Sequence, residues 1–308
     1  MNTTIDENKY TGVGLGNFDG LHIGHMELID TLVSECKRLN LQSVVYTFDN
    51  HPDDVIKGAR TSIILPKEQK MAMLESRNVD VLCFEKFDEN YCHISAEEFV
   101  EEILVKKLKA KLVVVGFNYR FGYMGKGDTK LLKDMGKEFD FEVLVIDPIE
   151  VNDEVVSSTA IRENIVKGDI EKVNSFLGRH YSVEGVVVKG KMLGQRELFR
   201  TANIRVDNTE ENVLYPAFGV YVTRTIVDDR VYNSITNIGM NPTIGDEKDV
   251  VVETHIFNFG NEIYGDKIVV EFYNRIRPEI KFSNVEELKS QIEMDIDYTD
   301  IYFKHLEV

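Results

Sequence analysis

The chain has 308 residues, 43% of them hydrophobic and 29% charged, which is long and apolar enough for two domains that each bury a core. No apolar run approaches the roughly 18 to 20 residues of a membrane-spanning helix, and the start MNTTIDENKY has neither the basic head nor the apolar stretch of a secretory signal, so a cytoplasmic protein with no membrane partner is expected. The formal net charge of −17 excludes broad nucleic-acid binding, which needs a basic face, but permits a small phosphate ligand held by backbone N–H groups and a few cations.

The first half alternates short apolar runs with helical patterns. Strands are predicted at Thr11 to Gly16, Gln42 to Phe48, Val79 to Phe84, Leu112 to Gly116 and Glu142 to Ile146. Helices are predicted from about Gly24 to Leu39, Lys67 to Arg77, Ala96 to Leu108, Lys130 to Phe139 and Ala160 to Lys167. Strands separated by helices imply βαβ units, hence an α/β domain with a Rossmann-like parallel sheet. From about Tyr181 the texture becomes all-β, with strands at Val183 to Val188, Asn203 to Val206, Gly219 to Val227, Arg230 to Ile238, Val250 to Phe257 and Lys267 to Ile276. Asp228-Asp229 and Asn241-Pro242 mark turns between them. That pattern predicts a small antiparallel Greek-key β-barrel, closed by a terminal helix over about Val285 to Asp295. The boundary falls near Gly178 to Tyr181, giving domains 1–180 and 181–308. The cysteines Cys36, Cys83 and Cys92 make no CxxC pair, so neither a disulfide framework nor a zinc site is expected.

The most informative segment is Gly16-Asn17-Phe18-Asp19-Gly20-Leu21-His22-Ile23-Gly24-His25. It follows a predicted strand and opens a predicted helix, where backbone N–H groups and the positive helix end face a bound phosphate. Glycines let the main chain approach closely. Two imidazoles can then donate hydrogen bonds to α- and β-phosphate oxygens as charge builds in a transition state, which suits nucleotidyl transfer. HxGH alone is a weak match, since a histidine near a helix start is commonly only a cap; the strand–loop–helix setting is what strengthens it.

Three further segments sit at strand ends or helix starts: Val44 to Pro52, Gly116 to Gly122, and Val156 to Arg162. Ligands of open α/β sheets bind outside the carboxyl ends of the strands, where such loops gather. In the second domain, Gly185 to Lys191 is followed by Gly194 to Asn203. Then come Asn237 to Thr243, Val252 to Phe259, Ile263 to Gly265 and Arg275 to Glu279.

Together these segments resemble the prokaryotic bifunctional riboflavin kinase/FAD synthetase family over nearly the whole chain. The resemblance implies riboflavin phosphorylation to FMN and adenylation of FMN to FAD, with ATP and Mg2+ and with riboflavin, FMN and FAD as substrates and products. It implies that His22, His25 and Arg162 are catalytic, that Gly16, Asn17, Asp19 and Gly24 shape the nucleotide loop, and that Asn118, Ser157, Ser158 and Thr159 bind the nucleotide. Phe48, Asp49 and His51 would lie on the flavin side, although core packing accounts for Phe48 equally well. In the kinase half, Gly190 and Lys191 would bind nucleotide, Thr201 and Asn203 would coordinate magnesium, and Glu253 would be the general base toward the riboflavin 5′-hydroxyl. The partners implied are small molecules, with a monomer or weak homo-oligomer as the assembly.

Two departures from the family pattern stand out. Ala160 occupies a position that commonly holds a second arginine, so weaker nucleotide affinity is expected rather than lost activity. Leu198-Phe199-Arg200-Thr201-Ala202-Asn203 stands where glycine-phenylalanine-proline-threonine-alanine-asparagine is usual. Leu198 lacks glycine's freedom and Arg200 lacks proline's fixed φ. The altered 198–200 loop keeps open an adenylyltransferase with a weak or silent kinase domain. Separate alternatives are a non-catalytic flavin-binding regulator and a related HxGH nucleotidyltransferase acting on another substrate, which the kinase-like barrel disfavours.

Overall fold

The computed structural model describes residues 4–189, 200–206, 212–240 and 250–306. Gly190, Lys191, Leu198, Phe199 and the Asn241-Pro242 turn lie outside the described residues. The chain divides into two compact units, the first running to Ser158 and taking in Asn212 and Val213, the second containing the rest from Thr159 on.

In the first unit the order is β1 (Thr11–Leu15), α1 (Ile23–Leu39), β2 (Gln42–Phe48), α2 (Pro52–Lys57), α3 (Lys67–Ser76), β3 (Val81–Glu85), α4 (Glu89–Cys92) and α5 (Ala96–Glu98). There follow β4 (Ala110–Gly116), α6 (Thr129–Phe139), β5 (Glu142–Ile146) and the two-residue hairpin strands β6 (Glu150–Val151) and β7 (Glu154–Val155). Among the described residues the main sheet has five strands in the order β3-β2-β1-β4-β5, with parallel pairings throughout. Successive residues of β4 point to opposite faces and both faces are covered. Val113 and Val115 pack with Phe99, Leu104 and Leu132, while Leu112 and Val114 pack with Leu28, Leu32 and Leu74. Close approach of α1 explains glycine inside β1: a Cβ at Gly12 would lie 2.3 Å from Cys36 Sγ.

The helix expected over Ala96 to Leu108 is wound differently. After α5 the chain continues in π-helical turns over Phe99–Lys107, and Leu108 N–H reaches back five residues to the Ile103 carbonyl at 2.9 Å. The wider winding keeps Phe99, Val100, Leu104 and Leu108 all buried. Sequence pattern also passed over α2, a six-residue helix started by Pro52 with His51 as its N-cap.

The second unit carries α7 (Ser158–Lys167), which opens at the last residue of the first unit, then α8 (Ile170–Leu177) and the strands β8 (Tyr181–Val188), β9 (Ala202–Arg205), β10 (Gly219–Val227), β11 (Arg230–Met240), β12 (Val250–Ile256) and β13 (Lys267–Arg277), ending in α9 (Val285–Leu306). Among the described residues six antiparallel strands close into a barrel in the order β10-β11-β12-β9-β8-β13. β12 returning beside β9 gives the Greek-key character. The Asp228-Asp229 turn forms as expected, with both residues left-handed (φ 48° and 61°) between the paired Val227 and Arg230. Asn174 on α8 fastens that helix to the barrel: its Nδ2 donates to the Phe272 carbonyl at 2.8 Å and its Oδ1 accepts from Tyr181 N at 2.7 Å.

The final helix extends beyond the expected Asp295 to Leu306. Its inward stripe continues at Thr299 and Phe303, four and eight residues on and both buried. Asp295 itself is 1% exposed and accepts from Arg277 on β13 through Nε at 3.0 Å and Nη2 at 2.7 Å, with Gln291 Nε2 adding a third donor at 3.0 Å. This bidentate pair pins α9 to the barrel.

Candidate functional site

The order β3-β2-β1-β4-β5 reverses direction between β1 and β4, which places a topological switch point at the carboxyl ends of these two strands. Gly16 to His22 leaves the end of β1, and Gly116 to Asn118 lies at the end of β4. Three residues of the β1 loop adopt left-handed backbone: Phe18 (φ 51°), Gly20 (φ 82°) and Leu21 (φ 41°). Such a conformation is costly for Phe and Leu. Both side chains are fully buried in the core beneath, and this burial holds the loop in its strained shape.

His22 is the N-cap of α1, its Nδ1 accepting from His25 N at 3.3 Å. The two imidazoles stack with centroids 3.6 Å apart and planes at 17°, and Phe18 meets His25 edge-on at 5.3 Å. Burial first, and then the neighbouring His22 and Lys70, hold the His25 imidazole well below its ordinary value, so it is neutral at pH 7. Its Nδ1 is buried without a hydrogen-bond partner. Gly24 lies beside the His22 ring, which a Cβ at that position would approach to 3.3 Å.

The rest of the loop is held from the strand and helix ends around it. The Asn17 carbonyl accepts from Thr47 Oγ1 and from Lys70 Nζ, each at 3.1 Å. The Asp19 carboxylate, 3% exposed, accepts from the N–H groups of Ile64 (3.0 Å) and Leu65 (3.3 Å). The Asp19 carbonyl accepts from Ser158 Oγ at 2.8 Å. Ser158 therefore lies against the β1 loop, whereas Thr159 and Arg162 fall in the second compact unit, on α7.

A cleft beside this loop gathers Asn17 and Asp19 with Phe48, Asp49 and His51. Phe48 meets Phe87 and Tyr91 edge-on at 5.1 and 5.4 Å, so it packs in an aromatic cluster while also lining the cleft. Asp49 is ion-paired with Lys67, and His51 caps α2 by accepting from Asp53 N at 3.2 Å. Asn118 is exposed beside Gly116.

Two lysines of α3, Lys67 and Lys70, line the same cleft and were missed from sequence. Lys70 is 8% exposed. Its signal lay in spacing: it precedes the buried Leu74 by one helical turn, which puts it on the inward face.

In the barrel, β9 pairs with β12 so that Asn203 stands opposite Glu253, and β12 pairs with β11 so that Glu253 stands opposite Asn237. These residues share one face, while the neighbouring pair Thr254 and Thr236 faces the barrel core. Thr201, two residues before Asn203, is half-buried. A hydroxyl and an amide oxygen are hard donors, and among the described residues no group of three His, Cys, Asp or Glu side chains could hold a metal. That donor set fits magnesium, which takes few protein ligands and completes its shell with phosphates and water. Arg200 donates from Nη1 to the Gly260 carbonyl at 3.3 Å, and its own carbonyl accepts from His255 Nδ1 at 2.9 Å. No helix among the described residues is long and apolar enough to cross a membrane.

Residues 4–160 match the family described as FAD synthetase, and residues 177–303 match the family described as riboflavin kinase. The chain is 35% identical over 299 residues to the bifunctional riboflavin kinase/FMN adenylyltransferase of Listeria monocytogenes, covering 96% of this chain and 93% of that one. The protein of the same description from Bacillus subtilis is 32% identical over 307 residues, covering 98% and 95%. A solved structure from Streptococcus pneumoniae, titled a macrolide-efflux protein, superposes with a TM-score of 0.87 at 30% identity over 96% of this chain and 95% of that one.

Proposed function

The chain belongs to the family of bifunctional riboflavin kinases/FMN adenylyltransferases, and from that premise we propose how its residues divide the two reactions. It is a transferase that phosphorylates riboflavin to FMN and adenylates FMN to FAD, with ATP as the donor in both. We assign residues 1–180 to adenylyl transfer and 181–308 to the kinase. This functional boundary differs from the packing boundary because α7 packs with the second unit and yet carries Thr159 and Arg162, which we assign to the nucleotide.

In adenylyl transfer an FMN phosphate oxygen attacks the α-phosphorus of ATP; the new P–O bond forms as the bond to the β-phosphate breaks, and pyrophosphate leaves. The neutral His25 and its stacked partner His22 donate N–H groups to the phosphate oxygens where charge builds. The Gly16–His22 loop, the α1 N-terminus, Asn118, Ser157, Ser158, Thr159 and Arg162 hold the nucleotide. Phe48, Asp49 and His51 hold the flavin side. The observation that carries this reading is the stacked histidine pair at the start of α1, on the switch point of the sheet.

In the kinase reaction the riboflavin 5′-hydroxyl attacks the γ-phosphorus of ATP, ADP leaves, and Glu253 takes the hydroxyl proton. Thr201 and Asn203 would hold Mg2+, which when bound neutralises charge on the phosphates. Gly190 and Lys191 would bind nucleotide. We place the enzyme in the cytoplasm as a monomer or weak homo-oligomer.

The test is a product time course with riboflavin, ATP and magnesium, separated chromatographically, beside a second run started from FMN. FMN followed by FAD is the expected result. FAD only from supplied FMN would remove the kinase half, and no product in either run would overturn the enzymatic reading.

A further inference from the structure

A lysine on the inward face of a helix needs a reason, because burying an ammonium is expensive unless it is hydrogen-bonded. Lys70 is 8% exposed, and its Nζ donates to the Asn17 carbonyl at 3.1 Å, in the middle of the strained β1 loop. Thr47 Oγ1 donates to the same carbonyl at 3.1 Å. Two donors, one of them charged, fix the direction of one peptide. In a trans peptide the N–H points opposite to the carbonyl. Holding the Asn17 carbonyl inward therefore turns the Phe18 N–H away from α3, within a loop whose carbonyl at Asp19 is also tied, by Ser158.

We propose that Lys70 is a positioning residue for adenylyl transfer: its buried ammonium holds the Asn17 carbonyl, and so sets the orientation of the phosphate-facing loop between β1 and α1. The inference rests on the adenylyltransferase reading above. A second consequence comes from charge. The titratable groups facing His25 are His22 from its own loop and Lys70 from α3. A cation there disfavours a second one on the imidazole, so Lys70 helps keep His25 neutral. Asp19, the carboxylate of the same loop, accepts from the Ile64 and Leu65 N–H groups.

The experiment compares the full-length protein with Lys70→Gln and Lys70→Arg. FAD formation from FMN is followed against pH, riboflavin phosphorylation is measured in the same preparations, and the His25 ring is titrated by NMR. For Lys70→Gln we expect kcat for FAD formation to fall about 10- to 100-fold, as misplacement of a catalytic loop by about 1 Å does, with KM for FMN little changed. Its acid limb and the His25 titration should both move to higher pH. Lys70→Arg should restore most of kcat and the original titration, and phosphorylation should be unaffected in both variants. Wild-type kcat and an unmoved His25 titration in Lys70→Gln would overturn the proposal. So would equal impairment of both variants with His25 unmoved, since charge would then be irrelevant. If the wild-type protein makes no FAD, the functional reading fails, and the NMR titration still reports separately whether Lys70 controls His25.

Discussion

Asn203 and Glu253 stand directly opposite one another across the β9–β12 ladder, with Asn237 next in the same row on β11. Side chains in one row of a sheet share a face and lie within reach of a common ligand. An amide and a carboxylate so placed suit a metal-bound phosphate on one side and a hydroxyl proton on the other. Glu253→Gln keeps the size of the side chain but removes its basicity. The expected result is a loss of riboflavin phosphorylation of about 100-fold or more, with FMN adenylation intact. Equal rates for Glu253→Gln and wild type in a riboflavin-to-FMN assay would remove Glu253 as the base.

The mirror experiment concerns the stacked pair. His25→Ala removes a donor from the proposed phosphate site while leaving the N-cap at His22 in place. Removing one such donor typically costs about 100- to 1000-fold in turnover. FAD formation should fall by that amount while riboflavin is still phosphorylated to FMN. Parallel loss of both activities would mean that His25 supports folding rather than transfer.

Stability should depend on pH in a defined direction. Burial holds the folded-state value of His25 well below its ordinary 6.5, and burial together with Arg224 lowers that of His180. Below about pH 6.5 the unfolded chain then binds more protons than the folded one, so stability falls as pH falls toward the folded-state values and is fully present above 6.5. Thermal unfolding midpoints should therefore drop from pH 7.5 to pH 5.5. His25→Gln should flatten part of that slope in the first unit, and an unchanged slope would show that other groups set it.

What could be read from the sequence depended on whether the chemistry coincided with a pattern. The HxGH loop was legible because Gly16 to His25 combines residue type, spacing and a strand–loop–helix setting. The change from a parallel α/β sheet to an antiparallel barrel was legible because the apolar period changes near Tyr181. Lys70 was not, because a lysine in Lys-Glu-Gln-Lys reads as solvated; only the turn it shares with Leu74 gave its direction. The π-helical winding of Phe99–Lys107 leaves no mark in a hydrophobic pattern that fits an α-helix about as well. The length of α9 was hidden because the inward stripe holds the polar Asp295 and Thr299 before it reaches Phe303. The hydroxyls inside the barrel were hidden too, since threonine in a strand is ordinary.

Those hydroxyls carry the last prediction. Thr223, Thr225, Ser234, Thr236 and Thr254 are all fully buried, and each touches two others: 2.8 Å for Thr223–Ser234, Thr223–Thr236 and Thr225–Ser234, 2.9 Å for Thr236–Thr254 and 3.3 Å for Thr225–Thr254. Thr254 also donates to the Ile235 carbonyl at 3.3 Å. Since each hydroxyl has one proton to give, the arrangement orders itself: Thr225 donates to Ser234, Ser234 to Thr223, Thr223 to Thr236, Thr236 to Thr254, and Thr254 to the backbone. The two ends are then unequal. Thr225→Val removes the first donor and leaves every other proton with an acceptor, so it should cost less than about 1 kcal/mol. Thr254→Val removes the exit to Ile235. Four hydroxyls then share three contacts, whichever way they turn, and one buried proton is stranded at a cost of about 1–3 kcal/mol. Hydrogen exchange of barrel amides in rising urea would measure both variants against wild type. The ordered chain requires Thr254→Val to be the more damaging of two near-isosteric changes, and equal costs would show that the protons are not directed along it.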